Sequence, residues 1–340
     1  MTYSADCLAN IRLRKSIDGK GFSGVSTAEF SCDIYTGDYH AEGETVVFSG
    51  CSLSVFYAAE CGYSGGVLSI TAYDLCKNLD IPFDYSGYEQ FNDDETGKYY
   101  DTTMIVAAIA NQCGFSEGGY SGRVQQIGYL DFSGKSCRGI LDDLSKADVG
   151  FWQDSGGILA FVPFVSPSSG IDVPDAGSRT EIRRLGTKSI TGIYAEDELY
   201  GTDYYTGSSW KNTERFSGRY LTEERAQLMA AQIIGSGGKY DYNGWACDSM
   251  LTDYIYNIGD HLSYGGDYLP VLSADFSFTG LGTVASVSAP EADGSFSEYH
   301  DLYSRKLEGC VTYDRLLGCT SVSSDGISFV SRKEAAVNSG

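Results

Sequence analysis

The stretch that decides the fold is residues 68–79, LSITAYDLCKNL. Together with Val67, its first residues form a short apolar run typical of a β-strand. Two similar runs come before it, at 45–48 and 53–57. In the second run larger side chains alternate with smaller ones, which is the period of a half-buried strand. The first part of the chain is therefore predicted to consist of short strands separated by glycine-rich turns.

Three later segments have the apolar spacing of helices. Asp101 offers an N-cap to the first helix and Gly114 ends it, while the second helix is predicted to begin near Ser136 and the third at Thr222. In the first helix the residues at helical spacing are Met104, Ile105, Ala108, Ile109 and Gln112. In the second helix one apolar stripe consists of Ile140, Leu141, Leu144 and Ala147. The predicted buried side of the third helix consists of Leu228, Met229, Ile233 and Ile234.

Strand signals return between and after the helices. Runs at 151–153 and 158–162 flank a glycine-containing loop and predict a β-hairpin. Further strand runs are predicted at 251–258, 269–278 and 326–330. The predicted fold class is α+β, mainly antiparallel β with peripheral helices, because the order of elements is strands, two helices, a hairpin, more strands, a helix and more strands. A turn-rich connector containing Pro163, Pro167 and Pro174 is the candidate domain boundary.

The composition indicates a folded, β-rich protein. The chain has 340 residues, which is long enough for two or three domains, and its 42% hydrophobic residues exclude a disordered chain. The 42 glycines, 26 tyrosines and only 6 prolines fit many tight turns between short strands.

The formal net charge of −22 disfavours nucleic-acid binding, because an acidic surface repels phosphate backbones. Two interpretations of this charge are open, and both can hold. The acidic residues keep a glycine- and tyrosine-rich β-protein soluble, or they line a surface past which DNA slides without binding.

The first ten residues lack the basic and apolar regions of a signal peptide, and no stretch approaches the roughly 20 apolar residues of a membrane span. We therefore expect synthesis in a cytoplasm and no stable membrane insertion. The 10 cysteines are scattered, without a C-x-x-C pair or zinc-ligand spacing. They are predicted to be free thiols, mostly buried.

Motifs of known chemistry are missing from the sequence. None of His40, His261 and His300 lies in a recognisable catalytic or metal motif, and no G-x-S-x-G elbow occurs. The run 134–136, GKS, matches only the end of a phosphate-binding loop, because Tyr129 stands where that loop needs its first glycine. We interpret this run as the cap of the second helix.

Acidic and aromatic clusters remain ambiguous. Among 46 acidic residues some pair always has the spacing of a glycosidase, so the clusters at 93–95, 142–143 and 196–198 carry little information. Paired aromatics such as Tyr254 and Tyr256 suit a sheet core or a protein interface, and they also suit sugar stacking. Further aromatic pairs of this kind are Tyr99 with Tyr100, and Tyr204 and Tyr205 with Trp210.

The order of these segments resembles the hub and tail-tip proteins of phages and prophages. The stretch 68–79 is similar to the family's strand leading into "TAYD". The helix ending at 109–114 (IANQCG), the "R-x-x-L"-like helix at 136–144 (SCRGILDDL) and the hairpin at 150–159 follow in the family's order. The run 258–260 (IGD), before a hairpin, is similar to the family's "x-G-D" strand entry. The resemblance covers roughly residues 50 to 290.

This resemblance implies a homotrimer in which each chain contributes two tube-like β-barrel domains to a ring with pseudo-sixfold symmetry. The ring joins the tail tube to a spike or fibre. It implies a first barrel at 1–80, with 150–188 as a candidate to complete it, and a second barrel at 189–290 that carries a helix at 222–235. The segment 81–165 is then a helix-containing insertion with a hairpin, 166–188 a linker and 291–340 a C-terminal extension.

The sequence as a whole predicts a structural baseplate hub at the tail tip of a virion, assembled in a bacterial host cytoplasm and lining the DNA channel. Expected partners are a tail tube or distal tail protein, a tape-measure protein and a spike or fibre protein. No catalytic, cofactor-binding or metal-binding residue is predicted, and neither is an enzymatic activity. Two alternatives stay open, a receptor- or carbohydrate-binding tail module and a tail-associated cell-wall hydrolase.

Overall fold

The computed structural model describes residues 5–17, 22–38, 40, 44–46, 56–84, 86, 100–120, 126–127, 134–165, 167, 169–173, 181–198, 200–208, 212–279, 282–290, 321–323 and 326–328. Several sequence predictions lie outside these residues. They are the runs at 47–48 and 53–55, the acidic cluster at 93–95, Tyr99, Pro174, Trp210, His300 and most of the segment 291–340.

The three predicted helix starts are confirmed. Asp101, Ser136 and Thr222 are N-caps, and each side-chain oxygen accepts a hydrogen bond from the backbone N–H three residues later. Gly114 ends the first helix with a left-handed φ of 87°. None of these helices is long and apolar enough to cross a membrane. The α-helices are α1 (Thr102–Cys113), α2 (Cys137–Asp148) and α3 (Glu223–Ile233), and the 3₁₀ helices are Ala5–Cys7, Leu75–Asp80 and Gly235–Gly237.

Strands account for most of the regular structure. In the first half of the chain they are β1 (Leu8–Ile17), β2 (Gly24–Tyr35), β3 (Thr45–Val46), β4 (Phe56–Ser64), β5 (Val67–Tyr73), β6 (Tyr100–Asp101), β7 (Glu117–Gly119), β8 (Gln126–Ile127), β9 (Gly150–Asp154), β10 (Ile158–Pro163) and β11 (Ile171–Asp172). In the second half they are β12 (Arg183–Ile190), β13 (Gly192–Asp197), β14 (Thr202–Gly207), β15 (Thr213–Gly218), β16 (Tyr240–Thr252), β17 (His261–Tyr264), β18 (Asp267–Pro270), β19 (Ser273–Thr279), β20 (Gly282–Ala289), β21 (Ser321–Ser323) and β22 (Gly326–Ser328).

One sheet of 12 strands contains strands from both halves of the chain. Nine strands follow the order β12-β16-β20-β19-β1-β2-β5-β4-β3, and β9 branches from β2 towards β10 and β7. Strand β1 pairs antiparallel with β2 on one side and with β19 on the other. Leu13 of β1 is thereby flanked by Phe30 and Phe276, and all three side chains are buried. The α+β class, mainly antiparallel β, is confirmed by this arrangement.

The described strands form an open sheet. The 12-stranded path begins at β12 and finishes at β3, and no sheet among the described strands closes on itself. Two tube-like barrels are therefore not confirmed. Strands from 1–80 and from 189–290 share this sheet. Strand β12 begins within the stretch predicted as a linker. The division of the chain into five domains and segments stays a prediction.

The core continues across the sheet into the smaller elements. The ring of Phe22 lies 4.9 Å from that of Phe164, 5.7 Å from that of Tyr240 and 5.8 Å from that of Tyr242. These edge-on contacts join the start of β2 to the end of the hairpin and to β16. Helix α3 packs against the small sheet β14-β13-β15 and against α2, where Arg225 forms a buried ion pair with Asp148.

One strand prediction in the second half was wrong, and another is confirmed as two strands rather than one. The strand predicted at 251–258 is the end of β16, because the hydroxyl of Thr252 accepts the N–H of Tyr254 at 3.0 Å and turns the chain there. The strand predicted at 269–278 is divided between β18 and β19. Both differences come from local turns in stretches whose side chains have strand-like patterns.

One position predicted for the buried side of the third helix was also wrong, since Leu228 is 39% exposed. The apolar stripe predicted for α2 is buried, and so are Met229, Ile233 and Ile234 at the end of α3.

Candidate functional site

The two described histidines are held in local contacts. His40 lies 2.6 Å from Glu44, and the ring of His261 packs 5.6 Å from the ring of Phe164. Burial lowers the pKa of His261 to about 4, so this imidazole is neutral at pH 7. In the part of the chain that the structure describes, no group of three or more His, Cys, Asp or Glu side chains could hold a metal ion.

Three carboxylates of the described acidic clusters form ion pairs with nearby cations. In α2, Asp142 bonds to Lys146 at 2.8 Å, and Asp143 is paired with Lys135. In β13, Glu196 bonds to Arg215 at 2.7 Å. These carboxylates therefore have structural partners.

The aromatic pair of Tyr254 and Tyr256 is divided between surface and core. The two rings lie 5.2 Å apart, but Tyr256 is fully buried and Tyr254 is 45% exposed. The hydroxyl of Tyr256 bonds to Thr252 and to the sulfur of Met250. Tyr256 is thus a core residue, which was one of the interpretations left open.

A polar cleft of about 270 Å³ lies where the 3₁₀ helix Leu75–Asp80 meets the exposed face of the large sheet. Its charged and aromatic lining consists of Arg14 from β1, Glu29 from β2, Tyr73 from β5, Lys77 and Asp80 from the 3₁₀ helix, and Arg138 from α2. We call this group of six residues the basic cleft. It has three cations against two carboxylates, on a chain whose net charge is −22.

Arg138 fixes one wall of the basic cleft. Its Nε donates to Asp80 at 2.5 Å, and its Nη2 donates to the carbonyl oxygen of Cys76 at 2.7 Å. A longer hydrogen bond, of 3.4 Å, joins Nη2 to Thr27 on β2. Because Arg138 follows the first residue of α2, these bonds tie the start of that helix to the 3₁₀ helix and to the sheet.

Tyr73 forms the floor of the basic cleft. The ammonium group of Lys77 lies 5.2 Å above its ring. Partial burial, followed by the negative charge of Glu29, raises the pKa of Tyr73, so the hydroxyl stays protonated at pH 7.

Arg14 is the cation of the basic cleft that forms no ion pair with the described residues. Its register partners are Glu29 on β2 and Asp275 on β19. However, Asp275 accepts two hydrogen bonds from Arg12, and no ion pair joins Arg14 to Glu29 in the described part of the chain. The exposed guanidinium of Arg14 is therefore free to bind an oxygen anion, and guanidinium geometry suits a carboxylate.

Asp74, the residue after Tyr73, is buried. Its carboxylate accepts a hydrogen bond from the N–H of Ala28 at 3.0 Å, while its own N–H donates to the carbonyl of Ala28 at 3.0 Å. The carboxylate of Asp154, in the hairpin, accepts the N–H of Leu75 at 3.2 Å. Burial, followed by the charge of Asp154, raises the pKa of Asp74 to about 8. The "TAYD" stretch thus places Tyr73 in the cleft and Asp74 in the core.

Sequence reasoning missed the basic cleft as a site. Its residues come from five elements and are up to 124 positions apart, from Arg14 to Arg138, so no local motif contains them. Two stretches that the resemblance singled out supply part of the cleft. The stretch 68–79 supplies Tyr73 and Lys77, and the stretch 136–144 supplies Arg138.

The chain is similar in fold to three solved tail proteins. The 43 kDa tail protein of prophage MuSo2 from Shewanella oneidensis is 14% identical, with a TM-score of 0.48 over 85% of this chain and 95% of that one. A prophage tail protein from Listeria monocytogenes is 12% identical, with a TM-score of 0.47 over 90% and 93%. A tail protein from Neisseria meningitidis is 13% identical, with a TM-score of 0.46 over 85% and 94%. No protein-family model and no curated protein sequence matches the chain.

Proposed function

We propose that this chain is a structural hub protein at the tip of a phage-type tail. The observation that carries the proposal is the order of elements on which the sequence resemblance rests. Strand β5 with "TAYD", helix α1, helix α2 and the β9–β10 hairpin occur in that order. The 3₁₀ helix that follows β5 is bonded to α2 through Arg138 and to the hairpin through Asp154. The proposed role is architectural rather than enzymatic.

We infer that three copies form a ring that joins the tail tube, or a distal tail protein, to a spike or fibre. The outer edge of β12 supports such assembly, because it pairs with no other strand among the described residues. Open strand edges tend to pair with further chains, and a ring closes its contacts by rotation. In this proposal the tube-like arrangement of 1–80 and 189–290 is completed between copies.

The basic cleft is the proposed contact for an acidic segment of the neighbouring copy. Charge complementarity supports this contact, since a chain of net charge −22 presents mainly carboxylates to its neighbours. Arg14, with no ion pair to the described residues, is the group that such a carboxylate would meet first.

The acidic surface fits a channel through which DNA and a tape-measure protein pass. Like charges keep the DNA backbone from binding to the wall. The site of action is accordingly the virion tail tip, after assembly in the bacterial host cytoplasm.

The test is cryo-electron microscopy of purified particles from a producing strain. We expect three copies in a ring around the channel at the tail tip. If the chain lies on a peripheral fibre, or is missing from the particle, the hub proposal is wrong. In that case pull-down with cell-wall glycans would test the receptor-binding alternative.

A further inference from the structure

The turn between β13 and β14 carries the most exposed large aromatic side chain among the described residues. Tyr200 is 69% exposed, and Glu198 and Asp203, on either side of it along the chain, are exposed as well. The stretch 196–203 contains four carboxylates and no lysine or arginine. We define the acidic turn as Glu198, Tyr200, Gly201, Thr202 and Asp203.

Hydrogen bonds hold the acidic turn in one shape. The N–H of Tyr200 donates to the carboxylate of Asp197 at 3.3 Å, and the N–H of Gly201 donates to the carbonyl of Asp197 at 2.8 Å. The hydroxyl of Ser217, on β15, donates to one carboxylate oxygen of Glu198 at 2.8 Å. An ordered turn loses little conformational freedom when it binds a partner, so Tyr200 is presented ready for a contact.

We propose that the acidic turn of one copy binds in the basic cleft of the next copy. This inference rests on the proposed function, because it names the acidic segment that the neighbouring copy contributes. The charges are complementary, since the cleft has three cations against two carboxylates and the turn supplies two exposed carboxylates. Among the three cations, Arg14 forms no ion pair with the described residues and is the group that meets a carboxylate of the turn.

The basic cleft has the size for a protein side chain rather than for a whole small molecule. Its volume is about 270 Å³, whereas small-molecule pockets have roughly 300–1,000 Å³. Tyr73 forms its floor, so the ring of Tyr200 meets another aromatic ring there, and aromatic pairs favour offset or edge-on contact. Tyrosine is also enriched among the residues that dominate the energy of protein interfaces.

The acidic turn and the basic cleft belong to different parts of the fold. The turn lies in the small sheet β14-β13-β15, and the cleft lies on the large sheet beside the 3₁₀ helix Leu75–Asp80. Each copy therefore presents one turn and one cleft, and head-to-tail contacts of this kind can close into a ring by rotation. The high exposure of Tyr200 means that the described residues of its own copy leave it uncovered.

The test is photocrosslinking of the full chain with p-benzoylphenylalanine in place of Tyr200. The unlabelled variant is mixed with isotope-labelled wild type, so that a link to a labelled peptide joins two copies. We expect links to labelled peptides of the cleft, which contain Arg14, Tyr73 or Arg138. The control places the same photoreactive residue at Tyr35, which is 58% exposed at the end of β2, and should give no link to those peptides.

Self-association measured by analytical ultracentrifugation gives a second readout. Tyr200→Ala should weaken it about tenfold or more, whereas Tyr35→Ala should leave it unchanged. Because Tyr200 is largely exposed, the melting midpoint should stay the same, which separates a lost contact from lost folding. Tyr200→Ala combined with Arg14→Ala should weaken self-association less than the product of the two single effects, since residues of one contact are coupled.

The proposal is overturned if position 200 links only to labelled peptides outside the cleft, or to no second copy at all. Equal self-association of Tyr200→Ala and Tyr35→Ala would also overturn it. Particle images distinguish this failure from that of the hub. A ring at the tail tip in which the acidic turn meets another surface refutes this contact alone, while a mapped link in a chain on a peripheral fibre supports the contact and refutes the hub.

Discussion

Asp74 and Ala28 exchange two hydrogen bonds of 3.0 Å, one through the backbone of Asp74 and one through its carboxylate. This exchange extends the pairing of β2 with β5 by one residue and places a carboxyl group inside the protein, 5% exposed. The stability of the fold is therefore linked to the proton on Asp74.

Asp74→Asn should remove a pH dependence of stability. The pKa of Asp74 is raised from 3.8 to about 8 in the folded chain. Between these values the folded protein holds a proton that the unfolded chain has lost, so the free energy of unfolding falls as pH rises, by up to about 1.4 kcal/mol per pH unit. Urea unfolding from pH 4 to 8 should show a flatter slope for the variant. Asp248→Asn, at a 76% exposed side chain, should keep the wild-type slope, and equal slopes for Asp74→Asn and wild type would contradict the linkage.

His261→Phe should change stability with the opposite sign. The pKa of His261 is lowered from 6.5 to about 4, so its contribution is present above pH 6.5 and is lost as pH falls towards 4. Phenylalanine keeps a ring beside Phe164 and does not titrate. Acid unfolding followed by circular dichroism should therefore have a lower midpoint pH in the variant, and an unchanged midpoint would show that the imidazole is protonated in the folded chain.

Arg138→Met should destabilise the fold by about 1–3 kcal/mol, because it removes the partner of the buried carbonyl of Cys76 and the ion pair with Asp80. The matched control is Arg183→Met, at a 62% exposed side chain 3.6 Å from Asp248. It should change the free energy of unfolding by less than about 0.5 kcal/mol. Chemical denaturation of both variants measures the difference in the free energy of unfolding. Similar losses of stability in the two variants would mean that the hydrogen bonds of Arg138 do not stabilise the fold more than a surface ion pair does.

Gly150→Ala should cost about 1–3 kcal/mol or more, since an added Cβ would lie 2.5 Å from Phe161 Cζ and 2.5 Å from the carbonyl oxygen of Val162. Gly62→Ala is its control in β4, where a Cβ meets nothing within 4 Å. Thermal melting should separate the two variants clearly. A Gly150→Ala protein as stable as Gly62→Ala would show that the hairpin packs less tightly than described.

Arg14→Glu tests the basic cleft. If an acidic segment of a neighbouring copy binds there, the reversed charge should weaken self-association about tenfold or more. Analytical ultracentrifugation, or incorporation into particles, measures this against Lys239→Glu, at a 59% exposed cation outside both the cleft and β12. Equal assembly of the two variants would exclude the cleft as the contact and leave the hub role to the particle images.

Local signals in the sequence predicted local structure well. Asp101, Ser136 and Thr222 were recognised as caps because the capping oxygen and the N–H that it accepts are three residues apart. The exposure of Leu228 was missed because neighbouring helix positions differ by about 100° of rotation, and spacing alone does not fix where the apolar stripe ends.

Long-range arrangement was the part that the sequence could not supply. The pairing of Ile11 with Phe278 joins residues 267 positions apart. The sequence of neither strand indicates which strand it pairs with. The basic cleft depends on that kind of convergence, and so does the burial of Asp74. The stretch 68–79 was recognised by resemblance, whereas its physical role became visible only when Ala28 and Asp154 were seen beside it.

The position of β1 between β2 and β19 has a consequence for synthesis on the ribosome. Strand β2 follows β1 directly, but β19 emerges only after residue 279 has left the exit tunnel. Until then the growing chain presents one open edge of β1, and such edges recruit other chains. Nascent chains should therefore need a holdase chaperone for most of translation. Crosslinking of ribosome-stalled chains should detect the chaperone contact in chains that end before β19 and should no longer detect it once β19 has left the exit tunnel.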